Sequence, residues 1–229
     1  MLQEATEHSV DYLDHIYWAI FQLGLKVDSW RDFTMVVIRK PGKPDYGIPK
    51  AYHPIALLCT MAKLLTSIVA ADISNMVERE ELLPGSHFGG RPGQMTTDAM
   101  HTLVNKIKTA WQCNKVVSVL YLDVEGAFPN AVTNRLLHNL QKRRIPKVYI
   151  QFIKVLLTGR RTCMKFNDFV SDFILILNRI RQGDPLSMLL YIIYNADLLE
   201  LKENPREDSL GYVDDALVVA KGDDLEETV

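Results

Sequence analysis

The sequence predicts an α+β fold, and three observations predict it. Helical and β-type periodicities follow one another without the regular strand–helix–strand winding of a parallel sheet. The chain closes on two short apolar segments flanking Asp214-Asp215, the pattern of an antiparallel hairpin. Its 229 residues are 48% hydrophobic and 24% charged, a balance that supports a conventional core and excludes disorder, collagen and a simple coiled coil. A chain this long buries about 70% of the surface it would expose unfolded.

Val10, Leu13, Tyr17, Ile20 and Leu23 recur at helical spacing, so residues 8–24 form an amphipathic helix. Residues 33–39 (FTMVVIR) are β-branched and short, hence a strand. The stretch 40–55 holds four prolines and two glycines and reads as a loop or irregular ribbon. A long helix follows, with Met61, Leu64, Leu65, Ile68, Ile73, Met76 and Val77 on one side, ending near Pro84-Gly85. Residues 97–111 form another, with Met100, Leu103, Val104, Ile107 and Trp111 facing inward and Thr96 or Thr97 as N-cap. Residues 116–122 (VVSVLYL) are a buried central strand. Helices over 131–142 and 147–157, parted by Pro146, precede a hairpin over 161–178 that turns at Asn167-Asp168. An apolar helix over 185–200 and two strands within 209–220, joined at Asp214-Asp215, complete the order.

A net charge of −2 excludes a globally basic nucleic-acid binder but not a locally basic face. Residues 126–167 carry nine bases and no acid, whereas residues 197–229 carry eleven acids against Lys202, Arg206 and Lys221. Such asymmetry fits a polyanion-binding face beside a cation-binding one, or simply solvated surfaces. Cys59, Cys113 and Cys163 are too few and too scattered for a disulfide framework or a metal knuckle. Glu4, Glu7, Asp11 and Asp14 are wrong for a signal peptide, and no apolar run approaches the ~18 residues of a membrane span. The expectation is an intracellular protein, nuclear and/or cytoplasmic, not secreted and without a membrane partner.

Asp123 ends the central strand in 121-YLDVEGAF-128, Asp214 and Asp215 sit at the tip of the last hairpin, and 181-RQGDPLS-187 opens a helix between them. Clustered carboxylates stay ionised away from water only when cations neutralise them. Oxygen-only ligands on a strand end suit Mg²⁺, completed by water and phosphate. Singly, each feature has an ordinary explanation: a polar turn, a helix cap, and a helix start with Asp184 as N-cap and Pro185 at the first position.

Taken in order, YLDVEGAF, RQGDPLS and YVDD resemble the successive core blocks of reverse transcriptases. Upstream, 33-FTMVVIRKPGKPDYGIPKAYHPIALL-58 and 88-FGGRPGQMTTDAMHTL-103 resemble the fingers blocks and the block before the first catalytic strand. The wording is similar to non-LTR, LINE-like retrotransposon polymerases, over about residues 30–225. The resemblance implies a right-hand polymerase with fingers in residues 1–95 and a palm core in residues 96–229. Residues 132–175 would contribute to the fingers and template side. The palm would be an antiparallel sheet backed by helices, and the thumb would be absent. It implies RNA-templated DNA synthesis from dNTPs on a DNA primer, with two Mg²⁺ ions (or Mn²⁺). Asp123, Asp214, Asp215 and the Val124 carbonyl match the metal ligands. Phe128 matches the aromatic gate that rejects a 2′-OH, and Gln182 and Gly183 match the block shaping the nucleotide pocket. Tyr212 matches the position beside the primer's end; Arg39, Lys40, Lys43 and Lys63 fall where cations meet triphosphate or template. The basic stretch, with Arg143, Arg144 and Lys147, would follow the template phosphates.

The chain departs from the family pattern at His53 and Gln94, where arginine is usual, and at Arg179-Ile180-Arg181, where Gly-x-Gly is usual. An imidazole does not reproduce a guanidinium fork, and two arginines near the nucleotide pocket would force a different backbone or crowd the template. The palm blocks and thumb that would follow lie beyond Asp215 by more than the 14 residues present. A core fragment of a retroelement polymerase is therefore the expectation, with an inactive relic that binds nucleic acid or nothing as its alternative. A nucleotide cyclase, which also uses paired carboxylates, is disfavoured by Phe128 and RQGDPLS. The sequence specifies no oligomeric state.

Overall fold

A computed structural model of the chain describes residues 6–176, 180–201 and 204–228, with side chains from residue 9. The chain opens with α1 (Thr6–Leu23) and runs through β1 (Asp32–Arg39) and β2 (Tyr52–Leu57) to the long α2 (Thr60–Arg79). After an irregular stretch come α3 (Thr96–Gln112), β3 (Val116–Leu122), α4 (Ala127–Asn130), α5 (Thr133–Lys142) and α6 (Lys147–Leu157). Then follow β4 (Arg160–Phe166), β5 (Phe169–Val170), β6 (Ile174–Ile176), α7 (Ser187–Asn195), β7 (Glu207–Tyr212) and β8 (Asp215–Gly222).

Two sheets result. The first has the order β2-β1-β4-β5, with β6 also on β4; β1 runs antiparallel to β2 and parallel to β4. The second is antiparallel throughout, in the order β3-β8-β7. The main core is built from the helices. Ile73 of α2, Leu136 and Leu140 of α5, Ile153 of α6 and Leu190, Ile192 and Ile193 of α7 are at most 1% exposed. The α7 sequence SMLLYIIYN is apolar on nearly every side, and a helix apolar all round belongs inside. A smaller cluster of Leu103, Phe88, Leu210 and Val219 seats α3 on the second sheet.

The strand β2 corrects the reading of residues 40–55 as loop. It contains Pro54, which has no N–H to give a ladder, and β2 is an edge of the sheet's strand order, where proline is tolerated. The helix expected over 185–200 is shorter, with a 3₁₀ stretch (Ala196–Glu200) continuing it. At α3 the N-cap is Met95, not Thr96 or Thr97; the Asp98 carboxylate accepts the Met95 N–H at 2.7 Å. The turn at Asn167-Asp168 is where the sequence puts it, with Asn167 at φ 51°. The long-range parallel pairing of β1 with β4 carries no local signal and was not expected.

Candidate active site

The register of the second sheet brings the acidic residues together. Leu122 pairs with Ala216, so Asp123, one residue past β3, emerges beside Asp215, the first residue of β8. Tyr212 pairs with Asp215, which makes Val213-Asp214 the two-residue turn; the strands join one residue earlier than expected. Val213 sits at φ 58°. A β-branched residue in the left-handed region costs about 1–2 kcal/mol, so its surroundings must hold it there. Asn195 Nδ2 donates to the Val213 carbonyl at 3.4 Å, and a Cβ on Gly89 would lie 2.6 Å from the Val213 nitrogen, so only glycine fits against the turn.

The carboxylates feel one another. Partial burial pushes the Asp215 carboxyl above the usual range, and the charges of Asp214 and Asp123 push it further. Tyr191, on α7 below, is pushed up to about 12 by burial and then by the charges of Asp214 and Tyr194. Among the described residues no three His, Cys, Asp or Glu side chains converge into a protein-only cage. The donor set nevertheless fits a hard divalent cation. Mg²⁺ is bound through one or two carboxylates with water and substrate phosphate completing the octahedron, and Asp123 and Asp215 are both exposed to receive them.

Phe128, on α4, is half-buried and stacks on Tyr191 with ring centroids 4.7 Å apart and planes at 27°. The Ile180 N–H donates to the Phe128 carbonyl at 3.0 Å, tying the loop before α7 to α4. Gln182 and Gly183 are exposed, and the Gln182 carbonyl accepts the Ala56 N–H at 3.0 Å, fastening this loop to the edge of β2. Gly183 has φ 102°, and a Cβ there would meet the Ala56 carbonyl at 3.0 Å, so glycine is required for that approach. On the other side of the aspartates, Met100, Tyr121, Asp123, Tyr212, Asp215 and Leu217 border an open groove of about 400 Å³. Glu125, two residues past Asp123, pairs with Lys50 at 2.8 Å, linking the segment after β3 to the segment before β2.

The expected cations are distributed unevenly. Arg39 is exposed at the end of β1 with its guanidinium 5.5 Å over the Tyr46 ring; Lys40 and Lys63 are half-buried, and His53 is exposed on β2. Arg144 and Lys147 are exposed. Arg143 is not available as a phosphate ligand. Its side chain is 8% exposed and its guanidinium is committed to the Leu82 carbonyl, Asp197 and Glu200 at 2.6–2.9 Å. A sequence reading that counts basic residues cannot see such a commitment. Arg181 is packed inside the fold rather than turned towards a template: it is 5% exposed, lies over the Phe33 ring and pairs with Asp184 at 3.3 Å. Asp184 Oδ1 accepts the Leu186 N–H at 3.1 Å, one turn before α7 begins. Arg179 lies outside the described residues.

His87 is a site residue that the sequence did not flag. It is 0% exposed, bridges Gly211 of β7, and neither ring nitrogen has a hydrogen-bond partner of ordinary geometry. Burial lowers its pKa from 6.5 to about 4, helped by the positive charges of Arg91 and Arg143 and opposed by a loose contact with the Val213 backbone. The folded chain therefore binds this proton less well than the unfolded chain. Stability from this group is complete above pH 6.5 and is lost as pH falls towards 4, by about 3 kcal/mol. In His87→Met, urea midpoints measured between pH 7 and 4 are expected to fall less steeply; an equal slope would contradict the buried neutral ring.

Two sheets beside a helical core, with aspartates at the meeting ends of adjacent strands, make up a mixed α+β fold of the right-hand, fingers-and-palm type. A sequence profile described as "Reverse transcriptase (RNA-dependent DNA polymerase)" matches residues 38–229, and the chain belongs to that family. It is 30% identical over 201 residues to the probable RNA-directed DNA polymerase from transposon X-element of Drosophila melanogaster, covering 86% of this chain and 22% of that protein. To the RNA-directed DNA polymerase from mobile element jockey of Drosophila funebris it is 26% identical over 187 residues, 82% of this chain and 20% of that protein. The chain thus spans about a fifth of the length of these relatives. The resemblance to LINE-like polymerases is borne out. In fold alone it is similar to apo telomerase from Candida tropicalis truncated from its C-terminal domain, with a TM-score of 0.60 at 11% identity over 94% of this chain and 49% of that one. No described helix is long and apolar enough to cross a membrane.

Proposed function

We propose that this chain is the catalytic core that extends a DNA primer with dNTPs on an RNA template. One observation carries the reading: the β3–β8 register brings Asp123 beside Asp215, with Asp214 in the adjoining turn. Asp123, Asp214, Asp215 and the Val124 carbonyl would hold two Mg²⁺ ions, or Mn²⁺, which when bound acidify the primer's 3′-OH and neutralise the departing pyrophosphate. The first sheet, drawing on residues 32–57 and 160–176, serves as fingers, and the second sheet with α3 and α7 as palm. Gln182 and Gly183 form the wall of the nucleotide pocket between them, fastened to β2. Arg39, Lys40 and Lys63 supply positive charge for triphosphate or template, and Tyr212 borders the groove that takes the primer's end. Arg144 and Lys147 remain as exposed cations for template phosphates. A nuclear or cytoplasmic location fits this chemistry. His53, exposed on β2 in place of the family's arginine, favours a catalytically silent relic as the second reading.

Phe128, held flat against Tyr191, has little freedom to yield to a larger sugar. Phe128→Val is expected to lower the preference for dNTP over rNTP by roughly ten- to hundred-fold in kcat/KM ratio. An unchanged ratio would leave Phe128 as a core residue packed on Tyr191.

A further inference from the structure

β7 is an edge of the second sheet's strand order, and its last residues lead straight into the Val213-Asp214 turn. Residues 86–91 cover that end of β7. The Phe88 N–H donates to the Gly211 carbonyl at 2.8 Å and the Gly211 N–H to the Ser86 carbonyl at 2.9 Å. Gly89 presses on Val213, and the buried His87 ring fills the space behind Gly211. This short segment is in turn pinned by one residue. Arg91 gives Nε and Nη2 to the two Glu78 oxygens on α2 at 2.8 and 2.7 Å, and Nη1 to the Pro84 and His87 carbonyls at 2.9 and 3.1 Å. Its side chain is 9% exposed. A bidentate guanidinium–carboxylate pair is roughly twice as strong as a neutral side-chain hydrogen bond and fixes its geometry as well.

We propose that Glu78 and Arg91, acting through residues 86–89, are positioning residues that clamp the turn carrying Asp214 and Asp215. The clamp explains how a β-branched residue is kept in the left-handed region: three contacts to Gly211 and Val213, from Phe88, Ser86 and Gly89, converge on one side of the turn, and Asn195 holds its carbonyl. It also links α2 to the second sheet through an arginine whose three side-chain nitrogens each donate a hydrogen bond. The functional part of the inference rests on reading Asp214 and Asp215 as metal ligands.

Two variants test it. Glu78→Gln keeps the size and removes the charge, and Gly89→Ala adds a methyl group against the Val213 nitrogen. Hydrogen exchange is followed for the peptide spanning residues 207–216, beside steady-state primer extension on an RNA template. In both variants exchange in that peptide is expected to quicken about ten-fold, from a weakened charge-assisted pair in Glu78→Gln and from displacement of the turn in Gly89→Ala, while α5, α6 and β4 stay protected. Extension is expected to lose kcat by a similar factor with the KM for dNTP unchanged, and Glu78→Asp is expected to recover much of it. Unchanged exchange in the peptide, or exchange that quickens equally everywhere, overturns the clamp. If the unvaried chain extends no primer, the polymerase reading fails, and the exchange arm still decides whether the clamp exists.

Discussion

Asp214→Asn is expected to abolish primer extension and at the same time to make the protein more stable near neutral pH. The loss follows from the second ligand position: with one carboxylate of the turn neutral, the charge that binds and orients a divalent cation drops, and the rate falls on the order of 10³-fold or more. The gain, read on the metal-free protein, follows from the repulsion among the carboxylates. Asp215 is pushed above the ordinary carboxyl range first by partial burial and then by Asp214 and Asp123. A carboxyl with a raised folded pKa binds its proton better folded than unfolded. Its ionisation therefore costs stability as pH rises through the interval above 3.8, and stability returns as pH falls. Removing the Asp214 charge shrinks that interval. The urea midpoint of Asp214→Asn at pH 7 should exceed that of the unvaried chain, and the two should converge by pH 4. An active variant, or one less stable at pH 7, would contradict the site.

Asp184→Asn is expected to destabilise the chain by about 3–5 kcal/mol, much of the roughly 5–15 kcal/mol that holds a domain folded. Both side chains of the Arg181–Asp184 pair are 3% exposed, and Arg181 Nη1 is buried without a hydrogen-bond partner. The Asp184 charge is thus the principal compensation for a guanidinium taken out of water, and its loss leaves that charge uncompensated. Asp184 also caps the Leu186 N–H, which asparagine can still accept, so the cost is electrostatic rather than a lost cap. Urea unfolding measures it. The double variant Arg181→Met, Asp184→Asn should recover most of the loss, because it removes the buried guanidinium and keeps an acceptor for the Leu186 N–H. A loss below about 1 kcal/mol in Asp184→Asn would mean that solvent reaches Arg181.

What the sequence made legible is what local periodicity encodes. The β-branched run at 116–122 and the alternation around YVDD mark β3 and the last hairpin, but β3 is an edge of the strand order with Leu120 and Tyr121 exposed, not the buried central strand expected. The adjacency of Asp123 and Asp215 is a matter of register, set by pairing residues about 90 positions apart, and no window of sequence holds it. β2 was hidden because proline signals a loop until its position on an edge is known. Arg143 and Arg181 were misplaced for one physical reason: a basic side chain is expected in water, and only the packed structure shows the carboxylates that meet it inside. His87 carries no periodic or motif signal; its role arises from Gly211 and Val213, over 120 residues away.

The most direct test of the central claim is incorporation of a single dNTP onto a DNA primer annealed to an RNA template, by the purified chain with Mg²⁺. Asp214→Asn is run beside it. The account predicts template-directed incorporation by the unvaried chain, dependent on the metal and lost in the variant. Absence of incorporation by a folded, unvaried chain, or incorporation that survives Asp214→Asn, would contradict it.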